Sequence, residues 1–138
     1  MVDAEDVARL VMDMNDFPAS AEETVRTGVA FLVEGREVEW AQPAEVDGRW
    51  VVIGFDDGTL ALARFGAVAG EFEVRDLGVV SGGSYSEHWA PDSTIRVVFG
   101  HAVLPGGTLQ MEFTSLDSYR QAEPMQRWFR GSVAAHTG

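Results

Sequence analysis

Hydrophobic and polar positions change period twice along the chain. Near the start, Val7, Leu10, Val11 and Met14 fall at i, i+3, i+4 and i+7, with Asp3, Glu5 and Asp6 ahead of them. This is one apolar face of an amphipathic helix, with acids at the positive end of its dipole. Pro18 is expected to end it. Ser20-Ala-Glu-Glu23 has the spacing of a capping box and predicts a second short helix or turn over 21–27. Gly28 is then expected to separate that helix from Val29–Val33, a run that suits either a strand or more helix.

From Arg36 the period becomes two. Val38 and Trp40 alternate with Glu37 and Glu39, and Trp50–Phe55 is a short run rich in β-formers. Asp56-Asp57-Gly58 is a hairpin signal, because glycine accepts the positive φ a tight turn needs. Leu60 and Leu62 follow on one face of the returning strand. Phe72/Val74, Ile95/Val97/Phe99 and Leu109/Met111/Phe113 then alternate with polar partners. Gly66–Gly70, Ser81–Ser93 and Pro105-Gly106-Gly107 read as the connections. Alternation of this kind predicts antiparallel strands with one wet and one buried face. Beyond Ser115, a plausible N-cap, Leu116, Tyr119, Met125, Trp128, Phe129 and Val133 return to helical spacing, with Pro124 expected to kink or restart the helix.

The expected class is therefore α+β: a six- to seven-stranded antiparallel sheet or partly open barrel, an N-terminal helix and a C-terminal amphipathic helix. One domain is expected, with 1–28 helical, 29–114 antiparallel β and 115–135 the closing helix. Trp50, Ile53, Leu60, Leu62, Val97, Phe99, Leu109, Met111, Trp128 and Phe129 are expected to be buried together. The strand count, the Trp50–Phe65 hairpin and the Trp128-containing helix resemble the pleckstrin-homology-like superfold of small bacterial domains, over residues 36–135. Lipid-binding members of that family grip inositol phosphates with basic residues in an early hairpin loop. The loop here is Asp56-Asp57-Gly58, acidic and without lysine, so the resemblance implies the fold and not the ligand.

Charge narrows the partners. The 138 residues carry 22 acids and ten positive side chains, all of them arginine, for a net charge of −12. Residues 1–47 hold 12 acids against Arg9, Arg26 and Arg36. A field of this sign repels nucleic acid and anionic lipid, and speeds encounter with a basic partner. A high-GC coding bias or a salt-rich cytoplasm would produce the same composition. The acidic start and the lack of a long apolar run lead to the expectation of a cytoplasmic protein. The absence of cysteine removes disulfides, thiolate nucleophiles and Cys-ligated metals. His88, His101 and His136 lack the spacing of a metal site, and no cofactor motif is present.

The least periodic stretch is Ser81–Pro91. It reads as a loop whose Tyr85, Glu87, His88 and Trp89 would face a ligand or partner. Packing of Trp89 back onto the sheet is the bland alternative. Ser84 or Ser86 beside His88 lacks the elbow and oxyanion loop that serine catalysis requires. Arg120, Arg127 and Arg130 form a basic face on the closing helix that would meet the acidic N-terminal region within the chain or in a homodimer. The expected function is a non-enzymatic, acidic protein-interaction module of adaptor or immunity type, binding a basic protein. The alternative is a small-molecule-binding barrel or minor enzyme using the 81–91 loop with His88 and His101.

Overall fold

In a computed structural model the chain is described at residues 2–13, 19–66, 71–89, 96–113, 124–125 and 127–129. The side chains of Tyr85, Glu87, His88, Trp89, Arg96 and Val97 fall outside that description. Helix α1 spans Ala4–Met12. Asp3 caps it reciprocally: its carboxylate accepts from the Asp6 amide at 2.9 Å, and the Asp6 carboxylate accepts from the Asp3 amide at 3.1 Å. Val7, Ala8 and Val11 turn inward. Met14 and Pro18 lie outside the described residues.

Helix α2 spans Glu22–Val33 and follows a one-turn 3-10 helix at Ala19–Ala21. Its N-cap is Ala21, with no side-chain bond, so Ser20 does not form the expected capping box. Nor does Gly28 interrupt it. A β-carbon at Gly28 would lie 2.3 Å from Cδ1 of Phe72, so this glycine lets helix and sheet approach. Residues 29–33, a run that suits either strand or helix and opens the expected β region, are helix.

Seven antiparallel strands follow: β1 Val38–Glu45, β2 Arg49–Phe55, β3 Thr59–Gly66, β4 Glu71–Val79, β5 Gly82–Trp89, β6 Arg96–Leu104 and β7 Gly107–Phe113. Their order in the single sheet is β4-β3-β2-β1-β7-β6-β5. The two edge strands, β4 and β5, are consecutive in the chain and joined by Val80 and Ser81 alone. So short a link forces the edges together at one end. There the Val80 amide donates to the Gly58 carbonyl at 3.0 Å, and the Ser81 amide donates to the Val103 carbonyl at 2.9 Å. The sheet curls but does not close.

The expectation of one wet face fails for the middle of the sheet. Strand β2 is buried on both faces: Trp50 and Val52 point into the curl, while Val51, Ile53 and Phe55 point to the helices. Two cores result. The helix-side core joins Val7, Ala8, Val11, Val25 and Val29 to Ala41, Val51, Ile53, Phe55, Ala61 and Ala63. Ile53 thus belongs with the helices and not with Trp50. The inner core holds Trp40, Trp50, Leu60, Leu62, Met111, Phe113, Met125, Trp128 and Phe129, with Leu109 packed partly against it.

A short C-terminal helix, described at 124–125 and 127–129, supplies Met125, Trp128 and Phe129 to the inner core. Trp128 Nε1 donates to the Phe55 carbonyl at 2.6 Å. The Trp40 ring meets Trp128, Phe129 and Phe113 at 5.5, 5.8 and 5.9 Å between centroids. Strand β6 is the second correction. Val98, Gly100 and Ala102 face inward, and half-buried Phe99 lies on the opposite face. A β-carbon at Gly100 would sit 3.2 Å from both Phe113 and Phe129. The inward side of β6 is kept small because rings from elsewhere fill the space, so counting large apolar residues selects the wrong parity. The expected N-cap Ser115 and the residues Leu116, Tyr119, Arg120, Arg130, Gly131 and Val133 lie outside the described residues.

Candidate functional site

The 81–91 stretch is not a loop over most of its length. Gly82–Trp89 forms edge strand β5, paired with β6 without a break from Gly82↔Val103 to Trp89↔Arg96. Glycines and serines at alternate positions hide the period of two, while pairing with β6 supplies the strand its own propensity does not. Backbone register places Tyr85 opposite Gly100, Glu87 opposite Val98, His88 opposite Val97 and Trp89 opposite Arg96. His101, opposite Ser84, is exposed. It lies on the face away from the aromatic core, because its neighbours Gly100 and Ala102 point inward. The inner core is packed with Trp40, Phe113, Trp128 and Phe129.

The helical layer carries a feature that the spacing argument passed over. Phe31 on α2 is 80% exposed. Its run, Val29–Val33, is apolar throughout and reads as uniformly buried, yet helical geometry divides it. Val25 and Val29 are fully buried, and Leu32 and Val33 pack against the same core. Phe31 lies two residues beyond Val29, on the opposite side of the helix at 100° per residue. Glu23, Thr27, Phe31 and Glu34 follow one another at four-, four- and three-residue spacing, and all are exposed. Applying the helical period to 22–34 as one segment would have found this stripe; the assumed break at Gly28 concealed it.

Ion pairs fix the helices that present it. Arg26 of α2 bonds Glu5 of α1, and reaches Glu22 one turn back at 2.9 Å. These carboxylates hold the Arg26 guanidinium pKa above its ordinary value. Asp3, Asp6, Asp13, Glu22, Glu23 and Glu34 remain exposed around them. Among the described residues, the two helices thus form an acidic layer with one exposed aromatic ring.

A second polar cluster ties the helical layer to the pinched end of the sheet. Arg36 lies 3.5 Å from the Phe55 ring centroid and donates to Asp76 at 3.2 Å and to the Thr59 hydroxyl at 2.5 Å. The Asp57 carboxylate accepts from the Thr59 amide at 3.0 Å and hydroxyl at 2.5 Å. Burial pushes the Asp57 carboxyl up, but the Thr59 hydrogen bonds and the Arg36 charge together outweigh it and hold the pKa below the ordinary value. The cluster locks the β2–β3 turn; it is a structural clasp.

Among the described residues, no group of three or more His, Asp or Glu side chains is placed to hold a metal ion, and no helix is long and apolar enough to cross a membrane. Comparison with protein-family models, with curated proteins and with solved structures gives no significant match. What the protein does must therefore be read from its own surface.

Proposed function

We propose that this protein is a non-enzymatic, acidic interaction module of the cytoplasm, and that the outer stripe of α2 is where it meets a basic protein partner. The observation that carries this reading is Phe31. An aromatic ring left 80% exposed on an otherwise amphipathic helix gains nothing for the monomer. On a stripe that carries Glu23 two turns back and ends at Glu34, it has the make-up of an interface anchor: an apolar centre with acids at either end. The partner this surface fits offers an apolar pocket flanked by lysine or arginine. The acids of the stripe would act on encounter rate, and the ring on lifetime.

Affinity capture from the source cell, with wild type and Phe31→Ser side by side, tests this. A partner is expected that is retained by wild type and lost from Phe31→Ser, with association slowing as salt rises. A partner that binds both proteins equally, or associates at a rate independent of salt, overturns the assignment to α2.

A further inference from the structure

The inner face of the curl changes character beside Trp50, on the side of the sheet away from the α2 stripe. Trp50 is 1% exposed, and its indole N–H has no partner among the described residues. Two guanidinium groups lie over its ring: Arg64 at 3.9 Å and Arg75 at 4.9 Å from the centroid. Sheet register makes this arrangement. Trp50 pairs with Ala44, Arg64 pairs with Glu73, and Arg75 pairs with Leu62, which shares the inner face with Trp50. Glu73 takes the Arg64 Nε at 2.6 Å; Arg75 is exposed and has no carboxylate partner among the described residues.

The turn after β1 completes the geometry. Asp47 and Gly48 both have positive φ, 54° and 106°. A side chain at Gly48 would begin 3.1 Å from Arg64 Nη1 and 3.9 Å from Trp50 Nε1. Residue 48, an exposed glycine, thus leaves a notch the size of a side-chain atom that borders both Arg64 Nη1 and the buried Trp50 Nε1, with a second guanidinium above the same indole. A buried N–H without an acceptor is unfavourable, so the notch gains from any acceptor that reaches it.

We infer that the notch bounded by Gly48, Trp50, Arg64 and Arg75 binds a small oxyanion group, a phosphate or a carboxylate. Arg64 Nη1 and the Trp50 indole would donate to one oxygen edge, and Arg75 would supply the second charge. Glu73 already plays the ligand's part toward Arg64, and so competes with it. The net charge of −12 opposes anions at long range. The donors act instead at hydrogen-bond range beside a buried ring, where attraction is less screened. The site is independent of the α2 stripe and of its partner.

Indole N–H resonances of the 15N-labelled protein give the test, in parallel titrations with sodium phosphate, sodium acetate and, at matched ionic strength, sodium chloride. The Trp50 resonance is expected to shift saturably in the low millimolar range with phosphate, acetate or both, the responding arm naming the group bound. Trp40 is the internal control: its N–H is also buried without a partner, but it faces Gly54, where a β-carbon would lie 2.0 Å away, and should not move. Arg75→Gln, an exposed change that leaves the fold intact, should raise Kd about tenfold, as for loss of one charged contact. Glu73→Gln should lower it by freeing Arg64. The site is overturned if chloride gives the same shift, if Trp50 does not respond by tens of millimolar, or if Arg75→Gln and Glu73→Gln leave Kd unchanged.

Discussion

Strand β2 separates two interiors built from different materials. Toward the helices it meets mostly short aliphatic side chains, Val7, Ala8, Val11, Val25, Val29, Ala61 and Ala63, around its own Phe55. Toward the curl it meets Trp40, Phe113, Trp128 and Phe129. Valine and alanine have no polar atoms to satisfy, so two short amphipathic helices close the first interior and leave their outer sides free for acids and for Phe31. Indoles carry a donor that must be placed. Trp128 finds the Phe55 carbonyl, whereas Trp40 and Trp50 find no partner among the described residues. The aliphatic interior is a cover whose outer surface faces solvent. The aromatic interior is where shape and buried polarity are decided.

The sharpest way to break this contrast is to empty the aromatic side. Trp128→Ala and Phe129→Ala should each destabilise by about 3–5 kcal/mol, the usual range for buried aromatic truncations. Urea unfolding followed by circular dichroism measures it. Losses below about 1 kcal/mol for both would show that the C-terminal helix does not hold the curl.

Two glycines compare the interiors directly. Gly54→Ala would place a β-carbon 2.0 Å from Nε1 of Trp40, a ring fully buried among other rings. Overpacking of that kind should destabilise by about 1–3 kcal/mol. Gly28→Ala would press on Phe72 at 2.3 Å, but Phe72 is only half-buried and can turn aside. Alanine also regains about 1 kcal/mol of helix propensity there. The loss at Gly28 should therefore be well below that at Gly54. The reverse order would mean that the helical cover is the more tightly fitted interior.

These glycines also show how much of the fold was legible in the sequence. The period of two reveals β1, β3, β4, β6 and β7, a short run of β-formers reveals β2, and Gly58 reveals the turn between β2 and β3, because each follows from local preference. Gly28 and Gly100 misled for one reason: each is a glycine on account of a ring brought in from a distant part of the chain, Phe72 for one and Phe113 with Phe129 for the other. Local pattern reads the first as a break, and apolar counting gives β6 the wrong inward face. β5 reads as a loop because its glycines and serines are poor strand formers, held by pairing with β6. Of the candidate site, the acidic balance of the N-terminal region was visible. Phe31 was hidden by the assumed break, and the Trp50–Arg64–Arg75 notch by its dependence on cross-strand register.

Acid should loosen the clasp at the pinched end of the sheet. Asp57 is depressed in the folded protein, so it stabilises the fold above the ordinary carboxylate value of 3.8, and that contribution is lost as pH falls through its folded pKa. Thr59→Val removes the hydroxyl that bonds both Asp57 and Arg36. The stability difference between wild type and Thr59→Val should be full at about pH 6 and shrink toward about pH 2. A difference constant across that range would show that the Thr59 contacts do not act through the charge of Asp57.

The smallest effect on stability is expected at Phe31, and that smallness is what makes it informative. The ring is exposed on the outer side of the aliphatic cover, opposite Val25 and Val29, so Phe31→Ser should change unfolding free energy by no more than about 0.5 kcal/mol. Val29→Ser, one half-turn away on the buried side, should lose several times as much, because it puts a hydroxyl into an apolar contact. A helix with one face committed to the core and the other to a partner shows this division: the inner variant lowers stability, and the outer one lowers association alone. Should Phe31→Ser unfold the protein as readily as Val29→Ser, the ring packs in solution against some part of the same chain, and its exposure is not a docking surface.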